Sequence, residues 1–151
     1  MIKPDNLPPD MTIGATQNGN EYGWQLDCFP GALAKAEAFG FACLGGQFQL
    51  RLSTGTCEMY WLSVDSKERK PNEPWPAFCR RSCSEILSGF TKLIAETDFR
   101  KMASEWPSVQ DAMAQGLDPH KVLVFVAYFV NEMEYAKLNQ KFEPLRQEKI
   151  S

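Results

Sequence analysis

Histidine is nearly absent from this 151-residue chain, with His120 standing alone. That excludes a histidine-rich zinc site and leaves one imidazole for any acid–base chemistry. P-loop, G-x-G-x-x-G, H-E-x-x-H, C-x-x-C and G-x-S-x-G motifs are all missing, which removes the short signatures of nucleotide, zinc-protease, redox and hydrolase chemistry. Long apolar runs are missing too. The longest, Val122 to Val130, falls far short of the roughly 20 residues a spanning helix needs. There is no basic excess: 16 Lys and Arg face 19 Asp and Glu, which argues against a nucleic-acid partner. The acidic surplus lies in residues 1–74, a bias that suits a basic partner.

The apolar share of 44% and charged share of 23% are those of a folded globule. We expect one domain over residues 1–151, with residues 1–10, which carry Pro4, Pro8 and Pro9, as an irregular arm. The five cysteines are odd in number, and Met1-Ile2-Lys3-Pro4-Asp5 has no apolar leader character. Reduced thiols in a cytoplasmic protein are the expectation.

Local signals order the first half. Asn18-Gly19 between alternating stretches predicts a type I′ hairpin pairing Ala15 with Tyr22, Ile13 with Trp24 and Met11 with Leu26. Pro30 opens and Gly40 closes a short helix burying Phe29, Leu33 and Ala36. A second hairpin around Ser53-Thr54-Gly55-Thr56 pairs Leu52 with Cys57, Leu50 with Met59 and Phe48 with Trp61. Its other face then sets Arg51 opposite Glu58 and Gln49 opposite Tyr60. Residues 65–74 read as a polar connector.

Helices follow. A stripe of Phe78, Cys79, Cys83, Ile86, Leu87, Phe90, Leu93 and Ile94 fits a helix over 76–96. Thr97 or Asp98 suits the cap of a short helix, and Ser108 that of another, running from Val109 to Gln115 and closed by Gly116. Asp118-Pro119 is an N-cap with a first-turn proline, which predicts a long helix to about Phe142. A buried strand through Val122-Leu123-Val124-Phe125-Val126 is the rival reading.

Candidate sites are few. Cys79 and Cys83 share a helix face, but their apolar flanks read as core. The binding candidates are Gln47, Gln49, Arg51, Glu58 and Tyr60 on the polar sheet face, with Trp75 at the end of the connector. No catalytic, metal or cofactor residues are assigned. Trp75 and Trp106, beside prolines, are expected to be the more exposed tryptophans.

Three stretches resemble small bacterial immunity proteins that accompany polymorphic or contact-dependent toxins. They are Tyr22-Gly23-Trp24 with Phe29-Pro30, Ala42-Cys43-Leu44-Gly45-Gly46-Gln47-Phe48-Gln49, and Gly55-Thr56-Cys57-Glu58-Met59-Tyr60-Trp61. The likeness spans about residues 20–65 and carries no functional motif. It implies a protein that binds and blocks a cognate toxin, many of which are basic.

The expectation is an α+β fold: a four-stranded, largely antiparallel sheet, two hairpins joined by a short helix, with three to four C-terminal helices on one face. Those helices would cover Ile13, Trp24, Phe48, Leu50, Met59 and Trp61. The expected function is non-enzymatic protein binding, with a protein partner such as a basic toxin domain, no cofactor, no nucleic acid and no membrane. Two alternatives stay open: a small enzyme using a cysteine thiol with His120, and a small-ligand domain with its pocket near Gly45-Gly46.

Overall fold

The apolar run near residue 125 is the middle of the sheet. In the computed structural model, which describes residues 7–139, the strands are β1 (Ala15–Asn18), β2 (Glu21–Gln25), β3 (Ala42–Leu52), β4 (Gly55–Asp65) and β5 (Leu123–Val130). Their order is β1-β2-β5-β3-β4, and every pairing is antiparallel. The α+β class therefore holds, with five strands rather than four. β5 lies between the two hairpins and joins them into one sheet.

The long helix expected from Asp118 is thus corrected. Asp118 does cap, its carboxylate accepting from the His120 amide at 3.1 Å, but the cap starts only a 3-10 turn, Pro119–Lys121. Seven of the eight β5 residues are buried, because a central strand is covered on both faces. Such a strand loses its alternation and reads as a continuous apolar run, which periodicity cannot tell from a helix. Helix resumes over 132–139. There Asn131 Oδ1 accepts from the Glu134 amide at 2.8 Å and Glu134 Oε1 accepts from the Asn131 amide at 2.9 Å, a reciprocal capping box. Phe142 lies outside the described residues.

Both hairpins turn tighter or later than their sequences suggest, each by two residues in register. In the first, Asn18 pairs with Glu21 and Ala15 with Trp24, leaving Gly19-Asn20 as the loop. Gly19 has φ +62° and Asn20 has no positive φ, the signature of a type II′ rather than a type I′ turn. In the second, Leu52 pairs with Gly55 and Leu50 with Cys57 around Ser53-Thr54. The expected Arg51–Glu58 and Gln49–Tyr60 pairs become Arg51–Thr56 and Gln49–Glu58. A shift of two leaves each side chain on its own face, so the inward set survives. One row crosses the whole sheet: Ala15, Trp24, Phe125, Phe48 and Met59.

Two expected core residues fall outside it. Ile13 precedes the shortened β1 and is 59% exposed. Trp61 is 49% exposed because the ladder shifts between Gln47 and Phe48, which pair with Ser63 and Met59. The three residues Tyr60, Trp61 and Leu62 bulge there, and Leu62 takes the inward place.

The helices are α1 (Phe29–Ala38), α2 (Trp75–Glu96), α3 (Phe99–Ala103) and α4 (Pro107–Ala114). α1 buries Phe29, Leu33 and Ala36 and ends before Gly40, at φ +81°. α2 buries Phe78, Cys79, Cys83, Ile86 and Phe90, while Leu87 and Ile94 stay exposed. Asp98 caps α3 through the Lys101 amide. Pro107, not Ser108, opens α4. Phe125 meets Phe29, Phe48 and Phe90 at ring-centroid distances of 4.7, 4.9 and 5.1 Å, the centre of the core. Among the described residues, no helix is long and apolar enough to cross a membrane.

The connector after β4 is fastened rather than free. Arg81 of α2 grips Glu73 through two hydrogen bonds of 2.8 Å, binds Glu85 and donates to the Lys67 and Glu68 carbonyls. Ser66 donates to the Cys43 carbonyl at 2.7 Å. These charge-assisted bonds give the stretch a structural role: it packs α2 against the start of β3.

Candidate functional site

The polar sheet face is more closed than an alternating pattern implies. Arg51 reaches from β3 across β5 and donates to the Thr16 carbonyl at 2.6 Å, the Thr16 hydroxyl at 3.1 Å and the Glu21 carbonyl at 3.3 Å. Asn18 Nδ2 donates to Thr56 Oγ1 at 3.1 Å, so the two edge strands meet at one end. Gly23 makes this possible. A Cβ there would lie 2.6 Å from Val124 and 3.0 Å from the Arg51 guanidinium carbon. Burial lowers the Arg51 pKa, opposed by Glu21. Tyr128, bonded to the Glu21 carboxylate, is pushed up by burial and then by that carboxylate.

This arrangement separates the expected binding residues. Gln49 is only 1% exposed. It sits between Val124 and Glu58, with its Oε1 3.4 Å from Arg51 Nε and its Nε2 without a hydrogen-bond partner among the described residues. Gln47 is half-buried, and Arg51 serves the sheet's closure. Trp75 is also corrected. Its indole donates to the Gly40 carbonyl at 2.8 Å, its ring packs on Phe78 and Tyr135, and it is 8% exposed. The following Pro76 marked a helix start, not a surface.

Glu58 and Tyr60 remain outward, and the bulge gives them neighbours that alternation had placed inside. Tyr60 is 71% exposed and stands edge-on to Trp61 at 5.1 Å. Trp61 stacks on the half-buried Trp106, centroids 6.1 Å apart and planes 24° apart. With Glu58 and Glu105 these rings line a cleft of about 370 Å³. Beside it lies a second cleft of about 460 Å³ that shares Glu105 and carries Glu96, Asp98, Leu62, Leu93 and Lys101. Among the described residues, none of Glu58, Glu96 or Glu105 is in an ion pair. Trp61 was placed inward because strict alternation hides a bulge, and Glu105, in the α3–α4 loop, reaches the cleft only through tertiary packing. Tyr60-Trp61 as adjacent aromatics in a strand otherwise alternating was the available signal.

The other possible sites are weaker. Cys43, Cys79 and Cys83 are buried, and burial raises all three thiols, to about 11 for Cys79 and about 12 for Cys83. Cys28 is raised by desolvation and by Asp27. Thiols so raised are protonated near neutral pH and poor nucleophiles. The space beside Gly46 is filled: a Cβ there would lie 2.4 Å from the Phe125 ring. An open recess of about 750 Å³ lies instead between the β3–β4 turn and α4. Among the described residues, no group of His, Cys, Asp and Glu is placed to hold a metal. No family model, curated protein or solved structure matches the chain.

Proposed function

We propose that this chain is a cytoplasmic, non-enzymatic protein-binding module that neutralises a basic protein partner, a toxin domain of the kind its first half's resemblance implies. The observation that carries this reading is the aromatic group of exposed Tyr60 and Trp61 on half-buried Trp106, rimmed by Glu58 and Glu105 beside β4. Aromatic anchors ringed by charge are what protein interfaces use for affinity and orientation. Catalysis by Cys43, Cys79 or Cys83 finds no support, since all three thiols are buried and burial raises their pKa.

The test is growth rescue. The C-terminal domain of the protein encoded beside this one would be expressed from an inducible promoter, with and without this chain. The expected outcome is growth arrest relieved by co-expression, with the two proteins eluting as one complex. A domain that is harmless, or whose toxicity persists in the presence of this chain, overturns the proposal.

A further inference from the structure

We infer that the cleft beside the β4 bulge receives an arginine side chain of the protein partner, an inference that rests on the protein-binding reading above and names its anchor. Three features converge. Trp61 is half-exposed, stacked on Trp106 at 24° and edge-on to Tyr60 at 85°. An indole face with open solvent above it attracts a cation, and a planar guanidinium stacks on it better than an ammonium does. Glu58 and Glu105 line the same cleft and hold no ion pair among the described residues. Two carboxylates beside an aromatic plane can accept the guanidinium N–H groups while the ring takes its face.

Charge complementarity extends beyond the cleft. The neighbouring one adds Glu96 and Asp98 against Lys101 alone. A basic surface entering here meets carboxylates along both clefts, which favours fast, oriented association. With centroids 6.1 Å apart the two indoles leave no room for a plane between them, so the guanidinium sits in the cleft that both line, against the exposed part of Trp61.

The experiment uses the full ¹⁵N-labelled chain and three peptides, acetyl-Gly-Gly-X-Gly-Gly-amide with X as arginine, lysine or citrulline. Four indole N–H signals are available, and two report on the fold: Trp24 donates to the Met11 carbonyl and Trp75 to the Gly40 carbonyl. The arginine peptide is expected to move the Trp61 and Trp106 signals saturably and leave those of Trp24 and Trp75 in place. Citrulline, which keeps the shape without the charge, should bind at least about tenfold more weakly, as should arginine to Glu105→Gln or Trp61→Ala. Equal shifts with citrulline, or unchanged binding by both variants with intact Trp24 and Trp75 signals, overturn the inference. The growth test separates the two readings. Failed rescue with a positive titration removes only the neutralisation reading, whereas rescue with a negative titration removes only the arginine site.

Discussion

Replacing Arg51 with Met isolates the contacts that close the sheet. The substitution keeps most of the aliphatic stem and removes the guanidinium donors to Thr16 and Glu21. A hydrogen bond from a charged donor contributes about 1.5–3 kcal/mol when well formed. Only the 2.6 Å bond to the Thr16 carbonyl is short, and the Thr16 acceptors are exposed, so water replaces part of what is lost. The working figure is a loss of about 2–3 kcal/mol, or a fall in Tm of about 4–12 °C for a chain of this size. Urea unfolding measures the loss. Amide exchange then locates it: β1 amides should quicken most, while those of β3 and β4 quicken only by the fall in global stability. Arg51→Lys should recover little, since one ammonium cannot reach all three acceptors. A loss under about 0.5 kcal/mol, or exchange that quickens equally in every strand, would refute the idea that Arg51 fastens the β1–β2 hairpin to β3.

Phe125→Ala should cost about 3–5 kcal/mol in urea unfolding, because Phe29, Phe48 and Phe90 cannot all collapse onto the void. The Glu73 carboxyl is held down to about 2, first by its hydrogen bonds to Arg81 and against a smaller desolvation effect. A depressed folded pKa stabilises the fold above the unfolded value and is lost as pH falls. Stability should therefore decline between about pH 4.5 and 2, and Glu73→Gln should flatten that part of a pH titration of unfolding. Cys43, Cys79 and Cys83 should resist iodoacetamide at neutral pH until the chain unfolds, with peptide mapping as the readout.

What could be read from the residues depended on whether the signal was local. The first helix, bounded by Pro30 and Gly40, and the long α2 stripe needed only their own sequence, and both stand where expected. The inward face of each hairpin was legible for the same reason, since a register slip of two preserves sidedness. β5 was legible only as the rival strand reading of Val122–Val126, because its burial comes from β2 and β3, segments about 75 to 100 residues earlier in the chain. The fate of the polar face was not legible. Gln49 and Arg51 point where alternation puts them, but a sheet coiled by a contact between β1 and β4 turns that face inward at one end. Only Glu58 and Tyr60 of the expected set keep an open outlook.

The bulge at Tyr60–Leu62 bears on whether that outlook serves binding. β4 is an edge strand of eleven residues, long enough to recruit a second chain through its unpaired side. A bulge interrupts such an edge, and this one has an evident protective value. Protection by a bulge, however, asks for no aromatic ring, and charges or proline are the side chains that natural edges use. Placing a tyrosine and a tryptophan there works against solubility, and the core does not require them, since Met59 and Leu62 already fill the inward positions. Trp106 then backs Trp61 from a different part of the chain, between α3 and α4. A defensive bulge accounts for the break in the ladder but not for three aromatic rings assembled over it between two carboxylates. The recognition proposed above would account for both, because the same kink that ends pairing turns Tyr60 and Trp61 outward.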